Sequence, residues 1–484
     1  MANNPVCYEF KRKFSKIIND FNYSFKLMYK VTKNIKILSF SLMILGLVGL
    51  AYGFYTAPHS IEESKAIVAS SSHGEHGSDH AVDLEDKDES HSSDYAIVSD
   101  HSEEVNNLDF KSDEHSVSHD EHVYHQLSNR PWSALYVAAL FFFLISLGTL
   151  AFYAIQRASQ AGWSPILFRV MEGITGYLLP GSIIILIFLI LSTMHLNHLF
   201  IWMDPEVVNH DEIIKAKSGY LDSQFFIGRA IFYILGWNLY RFFSRKFSIA
   251  QDQSNDVSNH KKNFKISAGF LAFFIVTESM MSWDWIMSVD PHWFSTLFGW
   301  YVFASMFVSG ITMIAIITIF LKSQGYLTGA NHNHLHDLAK YMFGVSIFWA
   351  YLWFSQFMLI WYANIPEEVT YFITRMEDYA LPFWGMLVTN LIFPFLVLMN
   401  SDYKRINWFI VTAGVVILMG HYIDFYNMIM PSTVGDQWYI GIPEIGGIMF
   451  FGGLFIYVVF NTLSKVPLEP SGDPLFKESE KFVY

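Results

Sequence analysis

Four ionisable side chains fall in one short, otherwise apolar stretch, Thr277 to Tyr301 (TESMMSWDWIMSVDPHWFSTLFGWY): Glu278, Asp284, Asp290 and His292. Trp283, Trp285, Trp293 and Trp300 are interleaved with them. The run from Ile266 is apolar enough to cross a membrane, so Glu278 and Asp284 lie inside it and Asp290-Pro291 turns at its end. A carboxylate at bilayer depth costs roughly 2.5–3.5 kcal/mol on insertion scales. The aromatics suit a helix end at the lipid–water boundary. Elsewhere His421 and Asp424 stand at i and i+3 on one face of a second apolar run. Arg229 lies one turn inside a third run, and Glu172 sits beside Arg169 and Arg157 at the opposite membrane end. Carboxylates mixed with Arg and His suit a proton relay or a substrate site. The competing reading is static pairing, Arg229 with Asp284. The relay reading joins Glu278, Asp284, His421 and Asp424 in one polar path in the outer half.

No residue is assigned as catalytic, cofactor-binding or metal-ligating. His332, His334 and His336 lie in an Asn- and Gly-rich loop and read as solvated. His195 and His198 read as interfacial side chains, which leaves His421 without a facing histidine for a haem. A single cysteine, Cys7, excludes intramolecular disulfides, Cys-ligated Fe–S clusters and a C-x-x-C-H haem attachment.

These groups must be positioned by membrane helices. Of 484 residues 52% are hydrophobic and only 15% charged, against roughly 25% charged in soluble domains. The net charge of −13 is concentrated in residues 58–125, which hold eighteen Asp/Glu against three Lys/Arg and ten of the nineteen histidines. That distribution excludes a basic nucleic-acid-binding face.

The fold class expected is an all-α polytopic membrane protein of about ten transmembrane helices, each near the roughly 20 residues a bilayer requires. The spans are placed at 37–57, 131–157, 174–196, 225–243, 266–287, 297–321, 339–362, 381–400, 407–430 and 446–463. The organisation reads as a cytoplasmic segment (1–36), a peripheral helix (37–57) and a disordered acidic, His-rich periplasmic loop (58–130). Two four-helix bundles follow (131–287 and 288–430), then an outer loop with the last helix (431–463) and a polar cytoplasmic tail (464–484). The third span ends in IWMDPEVV and the seventh in IWYANIPEEV, which pairs Trp202 with Trp361. Four spans apart, the two ends share orientation, which predicts two parallel four-helix bundles plus two peripheral helices. With the N-terminus inside, inner segments carry 23 of the 31 Lys/Arg and outer segments 7, so both termini are expected in the cytoplasm.

Several stretches carry a family resemblance: HQLSNRPWSALYVAALFFF, AGWSPILFRVMEGITGYLLPG, HLFIWMDPEVV, SWDWIMSVDPHWFSTLFGWY and IWYANIPEEVTYF. They are similar to the NrfD/polysulphide-reductase membrane-subunit family, and within it to the ActF-type integral subunits of bacterial alternative complex III. SWDW…DPHWFSTLFGW is the most specific of them, and the likeness runs from His125 to about Asn461. The resemblance implies a subunit of a quinol:cytochrome c oxidoreductase in the bacterial inner membrane, with no catalysis of its own outside the complex. It implies as partners a sister NrfD-like subunit, an Fe–S subunit, haem c subunits, small membrane subunits and a terminal oxidase, with menaquinol as substrate. Haem c and Fe–S clusters would sit on partners, with no cofactor on this chain, and this subunit would contribute a proton path and a candidate quinol site. A secondary transporter and a purely structural scaffold are the rival classes.

Overall fold

The computed structural model describes residues 28–72, 108–436 and 438–483; side chains of 68–72 and 108–122 are not described. Cys7, most of the N-terminal segment and the centre of the acidic loop lie outside the described residues. Ten long helices carry the architecture: α1 (Lys33–Thr56), α2 (Leu108–Ala158), α3 (Pro165–Thr193), α4 (Ser223–Asp252), α5 (Ser258–Trp285), α6 (Phe298–Ser323), α7 (His332–Ala363), α8 (Ala380–Leu398), α9 (Asn407–Val434) and α10 (Ile442–Leu463). Among the described residues there is no β-strand beyond an isolated bridge between Met28 and Pro467. Nine of the ten are long and apolar enough to cross a membrane. The exception is α4, whose apolar run is interrupted by Arg229, Asn238 and Arg241. Its outer face nevertheless exposes Phe225, Phe232, Leu235, Leu239 and Phe242, while Trp237 on the other face is fully buried.

Local chemistry sets the helix ends. Asp222 caps α4 by accepting from the amides of Gln224 and Phe225. Asn331 and His334 form a reciprocal capping box at the start of α7. Asn364 closes α7 in the left-handed conformation, and Pro366 starts the next short helix, Pro366–Glu377. Pro205 starts the short helix after α3 in the same way.

The centre of the molecule is α2, which packs on α3, α5, α6, α9 and α10. It crosses α6 with backbones nearly touching: a Cβ on Gly148 would lie 2.1 Å from Met306 O, and one on Gly310 2.6 Å from Thr149 N. Small residues permit such approach where lipid supplies no hydrophobic drive between helices. At the edge, α1 packs almost wholly on α10, where a Cβ on Gly46 would lie 2.3 Å from Phe450 N. Its other face exposes Leu38, Ile44, Leu45, Leu47 and Val48, as expected of a peripheral helix in lipid.

Several expected boundaries change. Residues 58–130 were expected to be disordered, yet Ile61–Ser72 is helical and α2 begins at Leu108, with Pro131 inside it. The polar lead-in to α2 is anchored at its last turn. Arg130 Nε lies 3.0 Å from Glu444 Oε1, and the Arg130 guanidinium covers the Tyr439 ring at 3.1 Å. Asn129 exchanges hydrogen bonds with the backbone of His198, 2.9 and 3.0 Å. The polar tail also packs. Leu468 and Asp473 are buried, Arg157 Nη1 meets Asp473 Oδ2 at 2.6 Å, and Ser479 Oγ donates to Trp163 O. His334 and His336, read as solvated, are buried, the first against Trp163 and Phe482. His195 and His198 lie beyond the end of α3 at Thr193, and His195 takes a positive φ of 56°. Trp202 and Trp361 differ in setting: the first is buried beside Phe200 and Phe226, the second is exposed.

Candidate functional site

The buried ionisable groups sort into distinct sites. On α5, Asp284 is fully buried and gripped by a two-pronged guanidinium: Arg229 Nε to Oδ2 and Nη2 to Oδ1, both 2.9 Å. Tyr233 Oη donates to Oδ2 at 3.1 Å. Arg229 is itself fixed by Tyr220, whose carbonyl accepts Nη1 at 3.1 Å and whose ring lies 4.1 Å beneath the guanidinium. This is planar fork recognition, the arrangement for which Arg rather than Lys is suited. The geometry is that of the static-pair reading.

Glu278 lies six residues earlier on the same helix, about 9 Å along the axis. It is buried and, among the described residues, has no cation within ion-pair distance and no partner for Oε1. Its one hydrogen bond is a long one from Ser279, 3.4 Å to Oε2. Thr277 beside it accepts from Trp237 Nε1 at 3.0 Å, which orients the neighbouring aromatics. Unlike Asp284, Glu278 can gain or lose a proton without breaking an ion pair.

The second buried aspartate, Asp424 on α9, is surrounded by donors. Tyr301 Oη donates to Oδ1. Ser305 Oγ at 2.7 Å and Trp349 Nε1 at 2.9 Å reach Oδ2, and His421 Nδ1 lies 3.4 Å from it. The carboxylate therefore ties α6, α7 and α9 together. Behind it is a small cavity lined by Tyr301, Gln356, Tyr371, Arg375, Asp424 and Asn427, with room for about one water. Arg375 is buried, stacks 3.3 Å over Tyr371, and donates Nε to Asn427 O (3.0 Å) and Nη1 to Tyr371 O (2.8 Å). Among the described residues its Nη2 has no hydrogen-bond partner; nor do Asn427 Oδ1 and His421 Nε2. A fully buried Asn390, also unpartnered at both amide atoms, sits in a π-turn of α8 (Val388–Ile392), close against Gly420. Single π-turns recur at functional sites. An acid, a guanidinium and orphaned polar atoms around a water-sized space can hold and pass a proton.

Glu172 belongs to neither group. Arg169 Nη1 contacts it at 2.6 Å, Tyr153 Oη donates at 3.1 Å, and Arg157 stands 4.0 Å away. The network extends to Asp252 through Arg169 and to Asp473 through Arg157. It bolts the C-terminal tail to α2, α3 and α4.

Asp290 and His292 lie in the turn after α5. His292 Nε2 reaches Asp211 Oδ2 at 2.5 Å, and Lys217 Nζ donates to Pro291 O. The hydrogen bond with His292, aided by the Ile214 and Ile213 amides, holds the Asp211 carboxyl below its ordinary value. A depressed carboxyl contributes stability above the ordinary carboxylate range and loses it as pH falls through the folded value. Amide exchange in Glu212–Lys217 should therefore accelerate below about pH 4. Asp211→Asn should exchange fast at all pH values. A wild-type segment equally protected at pH 3 and pH 6 would refute the tether.

Sequence reading named Glu278, Asp284, Arg229, His421, Asp424 and Glu172 from depth, and all are buried or half-buried. Asp284 and Asp424 share no hydrogen-bond partner among the described residues, so the structure does not join them in one cluster. Arg375, Tyr301, Trp349 and Asn390 were missed. Arg375 was the one basic residue in its outer segment, counted for orientation rather than chemistry. Compared with models of known protein families the chain matches none, and a search of curated proteins likewise finds no match. Fold and site together define a class: an all-α multi-pass membrane protein with buried ionisable groups held between its helices.

Proposed function

We propose that this chain is an integral membrane subunit of a quinol-oxidising respiratory complex, of the alternative complex III type, and that its own part is proton handling. The motifs around SWDW and DPHWFSTLFGW support the complex. The observation that carries proton handling is the contrast between the closed Arg229–Asp284 pair and two carboxyls placed differently. Among the described residues Glu278 has no cation, and Asp424 shares a water-sized cavity with an Arg375 whose Nη2 has no hydrogen-bond partner. Intramembrane carboxylates and histidines are the usual material of proton relays. Electrons would pass through haem c and Fe–S partners, with menaquinol as donor.

Helices α2–α5 and α6–α9 are read here as two repeats. Support comes from the Pro-initiated helices after α3 and α7, and from a buried aspartate in the second half of both α5 and α9. The Lys/Arg bias puts the Asp290-Pro291 turn on the outer side. Thiol labelling of Ser90→Cys and Ser323→Cys should then occur from opposite sides of the membrane; labelling of both from one side would reverse this topology.

Glu278→Gln keeps shape and hydrogen bonding but removes the exchangeable proton. In vesicles holding the assembled complex and a pH dye, this variant should release fewer protons per electron at near-normal assembly. Unchanged proton yield would assign Glu278 a packing role. The scaffold reading retains one supporting feature, the fixed Arg229–Asp284 pair, and the two readings separate at this measurement.

A further inference from the structure

The charges at the Lys/Arg-rich end do not balance. Four guanidinia gather there on α2, α3 and α4: Arg157, Arg169, Arg241 and Arg245. Three carboxylates meet them: Glu172, Asp252 and Asp473. Arg157 takes Asp473, and Arg169 takes both Glu172 and Asp252. Arg245 spends its donors on carbonyls, Glu172 O and Thr462 O, both at 3.2 Å. Arg241, one turn earlier on the same face of α4, has no ion pair among the described residues. Its Nε is buried without a hydrogen-bond partner.

An uncompensated guanidinium withdrawn from water is expensive, and a like charge one turn away adds to the cost. Among the described residues the nearest acid acting on it is Glu172, which Arg169 already holds. The surroundings indicate where another anion would come from. Arg241 is half-buried, next to the exposed Phe242 and Phe243. Above it, Leu179 and Ile183 of α3 and Leu235 and Leu239 of α4 are all exposed, forming apolar walls toward the bilayer. The site therefore has a cationic floor at the Lys/Arg-rich end of the helices and exposed apolar side chains along its sides.

We infer that Arg241, seconded by Arg245, binds the phosphate of an anionic phospholipid between α3 and α4. Guanidinium donors match phosphate oxygens in number and geometry. Basic recesses between membrane helices on the cytoplasmic side are where anionic headgroups bind. The lipid would supply the missing negative charge, and its acyl chains would lie along the exposed leucines and isoleucine.

The test uses the full-length protein in nanodiscs of phosphatidylcholine, with and without phosphatidylglycerol, read by native mass spectrometry and thermal unfolding. The wild type should keep one phosphatidylglycerol through a detergent exchange that strips phosphatidylcholine, and should unfold at a higher temperature with it. Arg241→Gln should weaken retention roughly tenfold, about 1.4 kcal/mol. Lys246→Gln, at an exposed neighbouring cation, should retain lipid as the wild type does. A third arm adds millimolar inorganic phosphate to detergent-solubilised protein. Stabilisation there that is lost in Arg241→Gln supports the phosphate site with free phosphate as a competent source. Failure there beside success with phosphatidylglycerol assigns the site to lipid. Equal retention by Arg241→Gln and wild type would overturn the inference. Should Arg241→Gln not fold, equal wild-type retention of the two phospholipids would overturn it alone.

Discussion

Arg229→Met should destabilise the protein by about 3–5 kcal/mol, the penalty for leaving a buried charge without its partner. Asp284 is fully buried, and its remaining side-chain partners would be the Tyr233 and Tyr220 hydroxyls, which cannot replace two guanidinium donors. The double variant Arg229→Met, Asp284→Leu removes both charges and fills the space. It should recover most of the loss, because buried ion pairs are often matched by apolar residues of similar volume. Unfolding of Arg229→Met, Asp284→Leu and the double variant in mixed micelles, each against wild type, would give three free-energy differences and hence the coupling between the two sites. The same double variant separates stability from transport. A pair that only fastens α4 to α5 can be replaced without changing proton yield in the assembled complex. If Arg229→Met proved as stable as wild type, the pair would not fasten the helices. If the folded double variant lost proton yield, Asp284 would belong to the conducting path.

The elements were read well where an apolar run defines them, and poorly where a helix continues beyond the bilayer. The second span was placed from 131, but α2 starts at Leu108. The fifth was placed from Ile266, but α5 starts at Ser258, and the seventh from 339, but α7 starts at His332. In each case the added turns are polar: Lys261, Lys262 and Lys265 in α5, His332 to Asp337 in α7. Hydropathy carries no signal for a helical turn built of polar residues. The same blindness hid the tail, whose docking depends on Arg157 with Asp473 and on Ser479 with Trp163, contacts more than 300 residues apart in sequence. Among the site residues, depth picked out Glu278, Asp284 and Asp424 because charge in hydrocarbon is rare. Depth could not say which one has a partner. Arg229 sits 55 residues from Asp284, and Tyr301 sits 123 from Asp424. Arg375 escaped because it reaches inward from a short amphipathic helix that is too polar overall to register as a span.

The Asp424 site yields the second large effect, and its two simplest variants should behave differently. Asp424→Ala leaves the Tyr301, Ser305 and Trp349 donors facing a void, each a buried polar group worth about 1–3 kcal/mol when unsatisfied. These penalties do not add fully, so a loss on the order of 3–5 kcal/mol is expected, with α6, α7 and α9 loosened together. Asp424→Asn keeps an oxygen for Ser305 and Trp349. It turns its amide toward Tyr301, whose hydroxyl can rotate to accept, so the stability loss should stay under about 2 kcal/mol. What Asn cannot do is exchange a proton with His421 or with a water beside Arg375. A positioned proton-transfer group contributes about 10²–10⁴-fold to the step it serves. Proton release by the reconstituted complex should therefore slow at least about tenfold in Asp424→Asn, with the fold retained. Arg375→Gln, which alters the other wall of the same cavity, should slow release in the same direction. A folded Asp424→Asn complex with wild-type proton release would make the four converging donors a structural clasp, and proton handling would then rest on Glu278 alone.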